Sequence, residues 1–287
     1  MENEELESYE RAFSISNEVI EFARECAKEN AHALELAETI ENKIRELGGK
    51  PAWPVNISIN EIAAHYTPSR NDSLILKEGD MAKVDIGVQV DGYPCDRAFT
   101  ICIGKKSHPL IEASEKALEE TLKLFKPGTK VWEISDVCEE TVNGLGFNVI
   151  RNLAGHRVDR YSQHADPSIP NGKNKIQDEI EAGKVYAMEV FVTDGSGFVV
   201  ESSPTGIFQF LRDAPVRMWE ARKILEMAQG KFEKLPFTQR WITDISPLKI
   251  DMALKQLTDA GALMEYPPLK EESNGMVAVT EKSVIVK

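Results

Sequence analysis

Residues 83–103, KVDIGVQVDGYPCDRAFTICI, decide the fold because they read as two strands joined by a tight turn. β-Branched and aromatic residues are frequent on both sides of the dipeptide Asp91-Gly92. This dipeptide is typical of a two-residue hairpin turn in which both residues take positive φ. The sequence therefore predicts an antiparallel hairpin at this position.

Two acids, Asp85 and Asp96, lie inside this otherwise apolar hairpin. A two-residue turn pairs residue 85 with residue 98 and residue 96 with residue 87, so the two carboxylates share one face as diagonal neighbours about 7–8 Å apart. Carboxylates at that spacing can converge on metal ions roughly 3.5–4 Å apart. A bulge at Pro94 would shift this register. The alternative interpretation is that each acid lies on a solvent-exposed polar face of a half-exposed hairpin.

The hairpin has a weak repeat later in the chain, since KEGDMAKVDIGVQVDG (77–92) resembles EAGKVYAMEVFVTDG (181–195). In each segment a glycine precedes an acid, Asp85 or Glu189, by six residues, and an Asp-Gly turn follows. The pattern indicates a duplicated α+β half. Further strands are predicted at 184–193, 198–201 and 276–286.

Helical spacing of apolar residues divides the rest of the chain. It predicts helices at 110–125 and 131–145 and two more between about residues 5 and 48. Between residues 207 and 268 two helical runs are joined by the aromatic segment LPFTQRWI, in an order that resembles a winged helix. We therefore expect an α+β domain formed by residues 1–206 and 269–287, with a helical insertion at 207–268.

The composition is that of an ordinary globular protein, with 287 residues of which 42% are hydrophobic and 28% charged. A formal net charge of −13 argues against nucleic acid or an anionic membrane as the main partner, because neither gains by binding an acidic surface. The opening MENEELESYERAF lacks the basic and apolar regions of a secretion signal, so we expect a cytoplasmic protein. Four scattered cysteines without a C-x-x-C pair fit buried thiols in a reducing compartment.

Two further acids, Glu189 in VYAMEVFV and Glu281 in MVAVTEKSVIV, interrupt strands that are expected to be buried. An unpaired carboxylate in such a place is strongly destabilising. Arginine partners are one solution, but a divalent cation compensates for several acids at once and accepts an imidazole beside the oxygen ligands. His156, in the segment NLAGHRVDR with loop character, is the candidate imidazole because Gly155 allows a close backbone approach.

These residues resemble the ligand set of the methionine aminopeptidases, in which Asp, Asp, His, Glu and Glu hold a dinuclear metal site in that chain order. The matching residues stand in KVDIGV, CDRAFT, AGHRVDRY, AMEVF and VTEKSVIV and are Asp85, Asp96, His156, Glu189 and Glu281. The helical segment and the lack of a long charged N-terminal extension are similar to the compact archaeal type 2 form. The resemblance spans essentially the whole chain. It implies the pita-bread fold, a creatinase/aminopeptidase-like domain with a pseudo-twofold duplication.

The resemblance also implies an activity, the two-metal hydrolytic removal of the initiator methionine from nascent proteins, with preference for a small second residue. Asp85 would chelate one ion, Asp96 and Glu281 would bridge both, and His156 and Glu189 would complete the second site. Glu189 would in addition accept the proton of the attacking water. Two divalent ions per subunit are expected, with cobalt, manganese or iron favoured and zinc as an alternative.

Four further residues resemble substrate-contacting positions of the family. AAHYTP and NLAGHRVDRYSQH are similar to its two substrate-histidine motifs, which implies that His164 stabilises the tetrahedral species and His65 holds the scissile peptide. Trp53 in PAWPVN and Tyr266 in MEYPPLKE resemble residues that line the methionine pocket, although Phe is more usual at the first of these positions.

The chain departs from the type 2 pattern beside two of the acids. Val190 follows the first glutamate where Pro is usual, and Thr280 and Lys282 flank the second where Phe and His are usual. Because the acids themselves are retained, we expect the ligand set to be kept and the pocket shape and metal affinity to differ.

The expected partner is the N-terminal methionine of peptides and nascent proteins, and recruitment by the ribosome is left open. A monomer is expected because no long heptad pattern demands a second copy. Two alternatives also stay open. One is a proline-directed enzyme of the same fold, a prolidase or aminopeptidase P, against which the helical insertion argues. The other is an inactive relative that binds protein or RNA, which would be expected to have lost ligands.

Overall fold

A computed structural model describes residues 1–287 and contains six α-helices and fifteen strands. The helices are α1 (Asn3–Cys26), α2 (Ala33–Glu46), α3 (Pro109–Leu122), α4 (Val131–Gly144), α5 (Trp219–Gln229) and α6 (Pro247–Asp259). The strands are β1 (Lys50–Pro51), β2 (Asn56–Ile59), β3 (Ile62–Ala64), β4 (Met81–Val90), β5 (Tyr93–Cys102), β6 (Asn148–Val149), β7 (Ala154–Asp159), β8 (Ser162–Pro170), β9 (Val185–Thr193), β10 (Val199–Glu201), β11 (Ile207–Phe210), β12 (Phe237–Thr238), β13 (Leu263–Tyr266), β14 (Leu269–Glu271) and β15 (Val277–Ile285). None of the helices is long and apolar enough to span a membrane.

The main sheet has nine strands and is built from two similar halves. Its central order is β1-β4-β5-β15-β9-β7-β8, with β2 beside β4 and β6 beside β9. Helices α1 and α2 bury their apolar sides against β4 and β5, whereas α3 and α4 do the same against β9 and the start of β15. Each half therefore consists of two helices and two central strands, which confirms the duplicated α+β arrangement predicted from the repeat.

The hairpin of β4 and β5 has the register predicted from its turn. Residue 85 pairs with Ala98 and Gly87 pairs with Asp96. Asp91 and Gly92 both have positive φ, 53° and 88°, as a two-residue hairpin turn of this kind requires. Pairing continues without a shift through Pro94, so the bulge considered for this position does not form.

The segment around His156 is a strand, so the loop character expected for it was wrong. Strand β7 pairs with β9 on one side and with β8 on the other. Gly155 is needed for close approach within the sheet, because a Cβ atom at that position would lie 2.6 Å from the backbone oxygen of Ala187. The close backbone approach predicted for Gly155 is therefore present, but it occurs between strands and not in a loop.

Residues 207–266 form a separate layer with its own core, which we call the helical layer. Strands β12, β11 and β13 make a three-stranded sheet, against which α5 and α6 pack through buried apolar residues. The side chains of Arg240 and Trp241 join this layer to α2, since both donate hydrogen bonds to the buried carboxylate of Glu41. The proposed boundaries of an insertion at 207 and 268 stay a prediction.

We expect Gly155→Ala to lower the free energy of unfolding by about 1–3 kcal/mol, because the added methyl group overpacks the β7–β9 contact. Gly144→Ala is the matched control, since Gly144 is the last residue of α4 and a Cβ atom there would meet nothing within 4 Å. That control should be neutral or stabilising by up to about 1 kcal/mol. Urea unfolding followed by circular dichroism measures both, and equal stability of Gly155→Ala and the wild type would contradict the packing described here.

Candidate metal centre

Strand register places three acids in one row across the centre of the main sheet. Asp85 pairs with Ala98, Ala98 pairs with Glu281, and Glu281 pairs with Glu189. Directly paired residues project from the same face of a sheet, so all three carboxylates point to one side. Asp96 lies two residues from Ala98 on β5 and projects from the same face. We call Asp85, Glu281 and Glu189 the acid row, and these three residues together with Asp96 the acid group.

His156 reaches this face from the neighbouring strand β7. It pairs with Ala187, which lies two residues before Glu189 on β9. Helices α1 to α4 cover the opposite face of the sheet, where alternate residues such as Val84 and Val190 are buried. The sheet therefore separates an apolar helix-packed face from a face on which all five predicted ligands are assembled.

Three of the five residues are close enough to share one ion. Candidate ligand atoms of Asp96, His156 and Glu281 all lie within 4.8 Å of one another, and these three residues are at most 5% exposed. Asp85 and Glu189 are half-buried at the margin of the group.

The imidazole of His156 is oriented with an acceptor nitrogen toward the acids. Its Nδ1 lies 3.2 Å from the backbone oxygen of Arg157, which can only accept, so Nδ1 carries the hydrogen. Nε2 therefore turns a lone pair toward Asp96, whose Oδ2 is 3.6 Å away. A ring nitrogen held in this manner by a backbone carbonyl is the usual arrangement of a metal-binding histidine.

The orphaned oxygens of the acids fit a divalent cation. Asp96 Oδ1 and Glu281 Oε1 are buried without a hydrogen-bond partner. Buried polar atoms are nearly always partnered, and a cation coordinated by oxygen and imidazole would satisfy these atoms together with His156 Nε2. The donor set of four carboxylates and one imidazole thus suits a divalent metal ion.

Burial and mutual repulsion disfavour the ionised form of the acids. Burial, followed by the nearby charges of Asp85 and Glu189, raises the pKa of Asp96 well above its ordinary value. Burial and the neighbouring carboxylates likewise raise the pKa values of Glu189 and Glu281. Burial also lowers the pKa of His156 to about 3, so this imidazole is neutral at pH 7 and able to coordinate a metal.

Asp85 has hydrogen bonds that the other acids lack. Trp53 Nε1 and Asn56 Nδ2 each donate to one of its oxygens at 3.2 Å. Burial raises the pKa of Asp85 to about 6, and these two hydrogen bonds oppose the increase. Trp53 was predicted to line a methionine pocket, and that role stays a prediction.

A chain of aromatic contacts extends from His156 through His164 and Tyr266 to His65. The ring centroid of His164 is 4.5 Å from that of His156 and 6.0 Å from that of Tyr266. The ring of His65 meets Tyr266 edge-on at 5.5 Å. The structure therefore brings His65, His164 and Tyr266 together at one side of the acid group, whereas Trp53 lies beside Asp85.

Two supporting residues, Lys83 and Asn56, were missed from the sequence. The Nζ atom of buried Lys83 donates to the backbone oxygens of Asn60, Met81 and Val277, at 2.8, 3.0 and 3.1 Å, and thereby ties β15 to β4. Asn56 was missed as well, although an asparagine inside the apolar run PVNIS was a usable signal.

The substitutions beside the glutamates project away from the acid group. Val190 is buried in the core under α3, where Ser114 donates to its backbone oxygen at 2.8 Å. Thr280 and Lys282 precede and follow Glu281 on β15, so their side chains leave the opposite face of the strand. The expected differences in pocket shape and metal affinity stay predictions.

Comparison with known families finds one that matches most of the chain. The model of metallopeptidase family M24 matches residues 7–209. A protein of Thermococcus kodakarensis named methionine aminopeptidase is 44% identical over 99% of this chain and 97% of its own length. One of Methanocaldococcus jannaschii with the same name is 39% identical over 98% of this chain and 96% of its own length.

Solved structures show the same fold at lower identity. A thermophilic Arx1 superposes with a TM-score of 0.87 at 18% identity, covering 99% of this chain and 88% of its own. The methionine aminopeptidase of Thermotoga maritima has a TM-score of 0.72 at 20% identity, with coverage of 100% and 94%. A prolidase from Pyrococcus furiosus has a TM-score of 0.55 at 22% identity and covers 67% of this chain and 57% of its own.

Ionisation of the buried acids should destabilise metal-free protein as the pH rises above the range in which carboxyl groups ordinarily titrate. The folded state holds its carboxyl protons to higher pH than the unfolded state, so their loss above that range favours unfolding. The histidines do not mask this effect, because their pKa values are lowered on folding from 6.5 and their contribution is complete above that pH. Lys83 opposes it from about pH 7 upward, because burial lowers the pKa of Lys83 to about 7 and the folded state then loses this proton before the unfolded state does.

Thermal unfolding in EDTA at several pH values measures the slope of stability against pH, and Glu281→Gln should shift this slope in the positive direction because it removes one acid whose ionisation destabilises the fold. Glu139→Gln is the control and should leave the slope unchanged. The burial of Glu139 is outweighed by hydrogen bonds from the Lys173 backbone and Arg151, so its pKa is lowered and it stays ionised throughout. A Glu281→Gln slope equal to that of the wild type would show that these acids are not coupled to folding.

Proposed function

The chain belongs to metallopeptidase family M24 and, within it, to the type 2 methionine aminopeptidases, and from this premise we propose which of its residues carry the reaction. The reaction is hydrolysis of the peptide bond that follows an N-terminal methionine. The observation that carries the proposal is the convergence of Asp96, His156 and Glu281, with buried lone pairs turned toward one another.

We assign the metal ligands to Asp85, Asp96, His156, Glu189 and Glu281, and we propose two divalent ions, manganese, cobalt, iron or zinc. When bound, such ions supply Lewis-acid chemistry that lowers the pKa of water toward about 7 and stabilises a developing oxyanion. The excess of carboxylate ligands favours metals that accept oxygen. Asp85 and Glu189 lie at opposite ends of the row and would complete the coordination on its two sides.

Glu189 is the proposed proton carrier. It is half-buried at the edge of the group, where it can reach substrate as well as the other ligands. Burial, and then the charge of Asp85, raise its pKa above the ordinary value, so its carboxylate is a better base than a solvated glutamate. Glu189 would accept a proton from the attacking water and deliver it to the leaving amine.

His65 and His164 are proposed to hold the scissile bond as neutral imidazoles. Burial, and for His65 also the proximity of His164, lowers both pKa values to about 4. The Nδ1 atom of His65 lies 3.3 Å from the backbone oxygen of Pro267 and therefore carries its hydrogen, which leaves Nε2 as an acceptor for a peptide N–H. His164, whose ring packs edge-on against that of His156, would donate a hydrogen bond to the carbonyl oxygen of the scissile peptide as negative charge develops on that oxygen.

The remaining features are proposals of the same kind. Tyr266 lies between the two histidines and would bound the pocket for the methionine side chain. We also propose a preference for a small second residue, action as a monomer in the cytoplasm on nascent proteins, and residues 207–268 as the type 2 insertion. Ribosome recruitment is left as a question for experiment.

Release of free methionine from Met-Ala-Ser is the test of the activity. Protein stripped with EDTA should be inactive, and addition of Mn²⁺ or Co²⁺ should restore turnover, whereas an X-Pro peptide should stay intact. Cleavage of the X-Pro peptide in place of Met-Ala-Ser would indicate a proline-directed enzyme. Absence of cleavage with every metal would favour the inactive binding protein.

Glu189→Gln should lower kcat by about 10²–10⁴-fold, because the amide cannot accept the proton. Glu139→Gln is the control, since Glu139 is also buried but is paired with Arg151 away from the acid row. Both variants should keep the helical circular dichroism spectrum of the wild type. Normal turnover by folded Glu189→Gln would exclude the role proposed for this residue.

A further inference from the structure

Trp53 is a buried aromatic residue whose position is fixed by the hairpin that carries Asp85. It is the largest fully buried side chain, with 1% of its surface exposed. The indole fills the space left by Gly87, where a Cβ atom would lie 2.2 Å from Trp53 Cε2. The preceding residue Ala52 donates its backbone N–H to the oxygen of Gly87 at 2.9 Å, which anchors the segment to β4.

The polar edge of this indole is directed at a proposed metal ligand. Trp53 Nε1 donates to Asp85 Oδ1 at 3.2 Å, and Asn56 Nδ2 donates to Asp85 Oδ2 at the same distance. Asn56 also pairs with Asp85 across β2 and β4, so its position is set by the sheet. Each oxygen of Asp85 therefore receives one N–H from a group held rigidly by its surroundings.

Two such hydrogen bonds fix the plane of the carboxylate. Rotation of the Asp85 side chain would break both, and neither the indole nor the amide N–H can accept in exchange. Because each oxygen has further lone pairs, the remaining ones stay free to face the row that contains Glu281 and Glu189. Second-layer hydrogen bonds of this type orient metal ligands and typically contribute a factor of 10–100 to metal affinity.

We propose that Trp53 is a positioning residue, which holds the Asp85 carboxylate in the orientation that presents both oxygens to a divalent cation. The proposal rests on the proposed function, since it takes Asp85 as a ligand. The positioning role requires tryptophan at residue 53 and could not be performed by phenylalanine. Phenylalanine would fill much of the same space beside Gly87 but has no N–H to donate.

The test is calorimetric titration of EDTA-stripped and dialysed protein with Mn²⁺, for the wild type, Trp53→Phe and Trp241→Phe. Trp53→Phe should weaken Mn²⁺ binding by about 10-fold. Trp241→Phe is the matched control, because it also removes an indole N–H from a carboxylate, the 2.8 Å hydrogen bond to Glu41, at the contact between α2 and the helical layer. Its Mn²⁺ affinity should equal that of the wild type, whatever happens to its thermal stability.

A variant of Trp53 with unchanged shape guards against a general packing defect. Site-specific replacement of Trp53 by 3-benzothienylalanine substitutes sulfur for the N–H and keeps the bicyclic ring, so it should fold as the wild type does and bind Mn²⁺ as weakly as Trp53→Phe. Wild-type affinity in this variant would overturn the positioning role, even if Trp53→Phe is impaired or unfolded.

The outcomes also separate this inference from the activity on which it rests. If the wild type binds Mn²⁺ and releases methionine while the two Trp53 variants bind Mn²⁺ equally well, the inference fails and the proposed function stands. If the wild type neither binds Mn²⁺ nor releases methionine, both fail. Weakened binding in the two Trp53 variants and normal binding in Trp241→Phe would support the inference.

Discussion

Repulsion among buried carboxylates is the constraint around which this molecule is organised. Asp96 and Glu281 are 3% and 4% exposed and are diagonal neighbours on the paired strands β5 and β15, and Glu189 pairs directly with Glu281. Like charges in such a setting favour separation of the strands unless other contacts hold the strands together. The structure provides those contacts on the far side of the sheet, where four helices bury large apolar surfaces. It also provides them within the sheet, where Lys83 and Ser283 bond across strand boundaries.

The two halves contribute to the acid group in equivalent ways. Asp85 and Asp96 come from the first pair of central strands, and Glu189 and Glu281 from the second pair. The halves meet where β5 pairs with β15, so the acids converge at the pseudo-twofold axis and neither half contains a complete set. The imidazole breaks the symmetry, because His156 is supplied by strand β7 outside the central four. A duplicated scaffold thus acquires distinct chemistry on its two sides through one added strand pair.

Local sequence could predict the first half of the site better than the second. A two-residue turn fixes every pairing in its hairpin, so the relation of Asp85 to Asp96 followed from Asp91-Gly92 alone. The pairing of β5 with β15 joins segments about 180 residues apart, and no local pattern encodes that register. For the same reason the contact of Trp53 with Asp85 was not foreseen. It depends on a space that appears only when two distant segments pack together.

The position of β15 has a consequence for the order in which the protein can form during synthesis. This strand lies between β5 and β9 in the finished sheet, yet it is made after every other strand. At roughly 5–20 residues per second, several seconds separate the synthesis of β9 from that of β15. Until then the facing edges of β5 and β9 have unpaired backbone groups, which makes the nascent chain vulnerable to aggregation at its future centre. The helical layer is translated within this interval, after β9 and before β15.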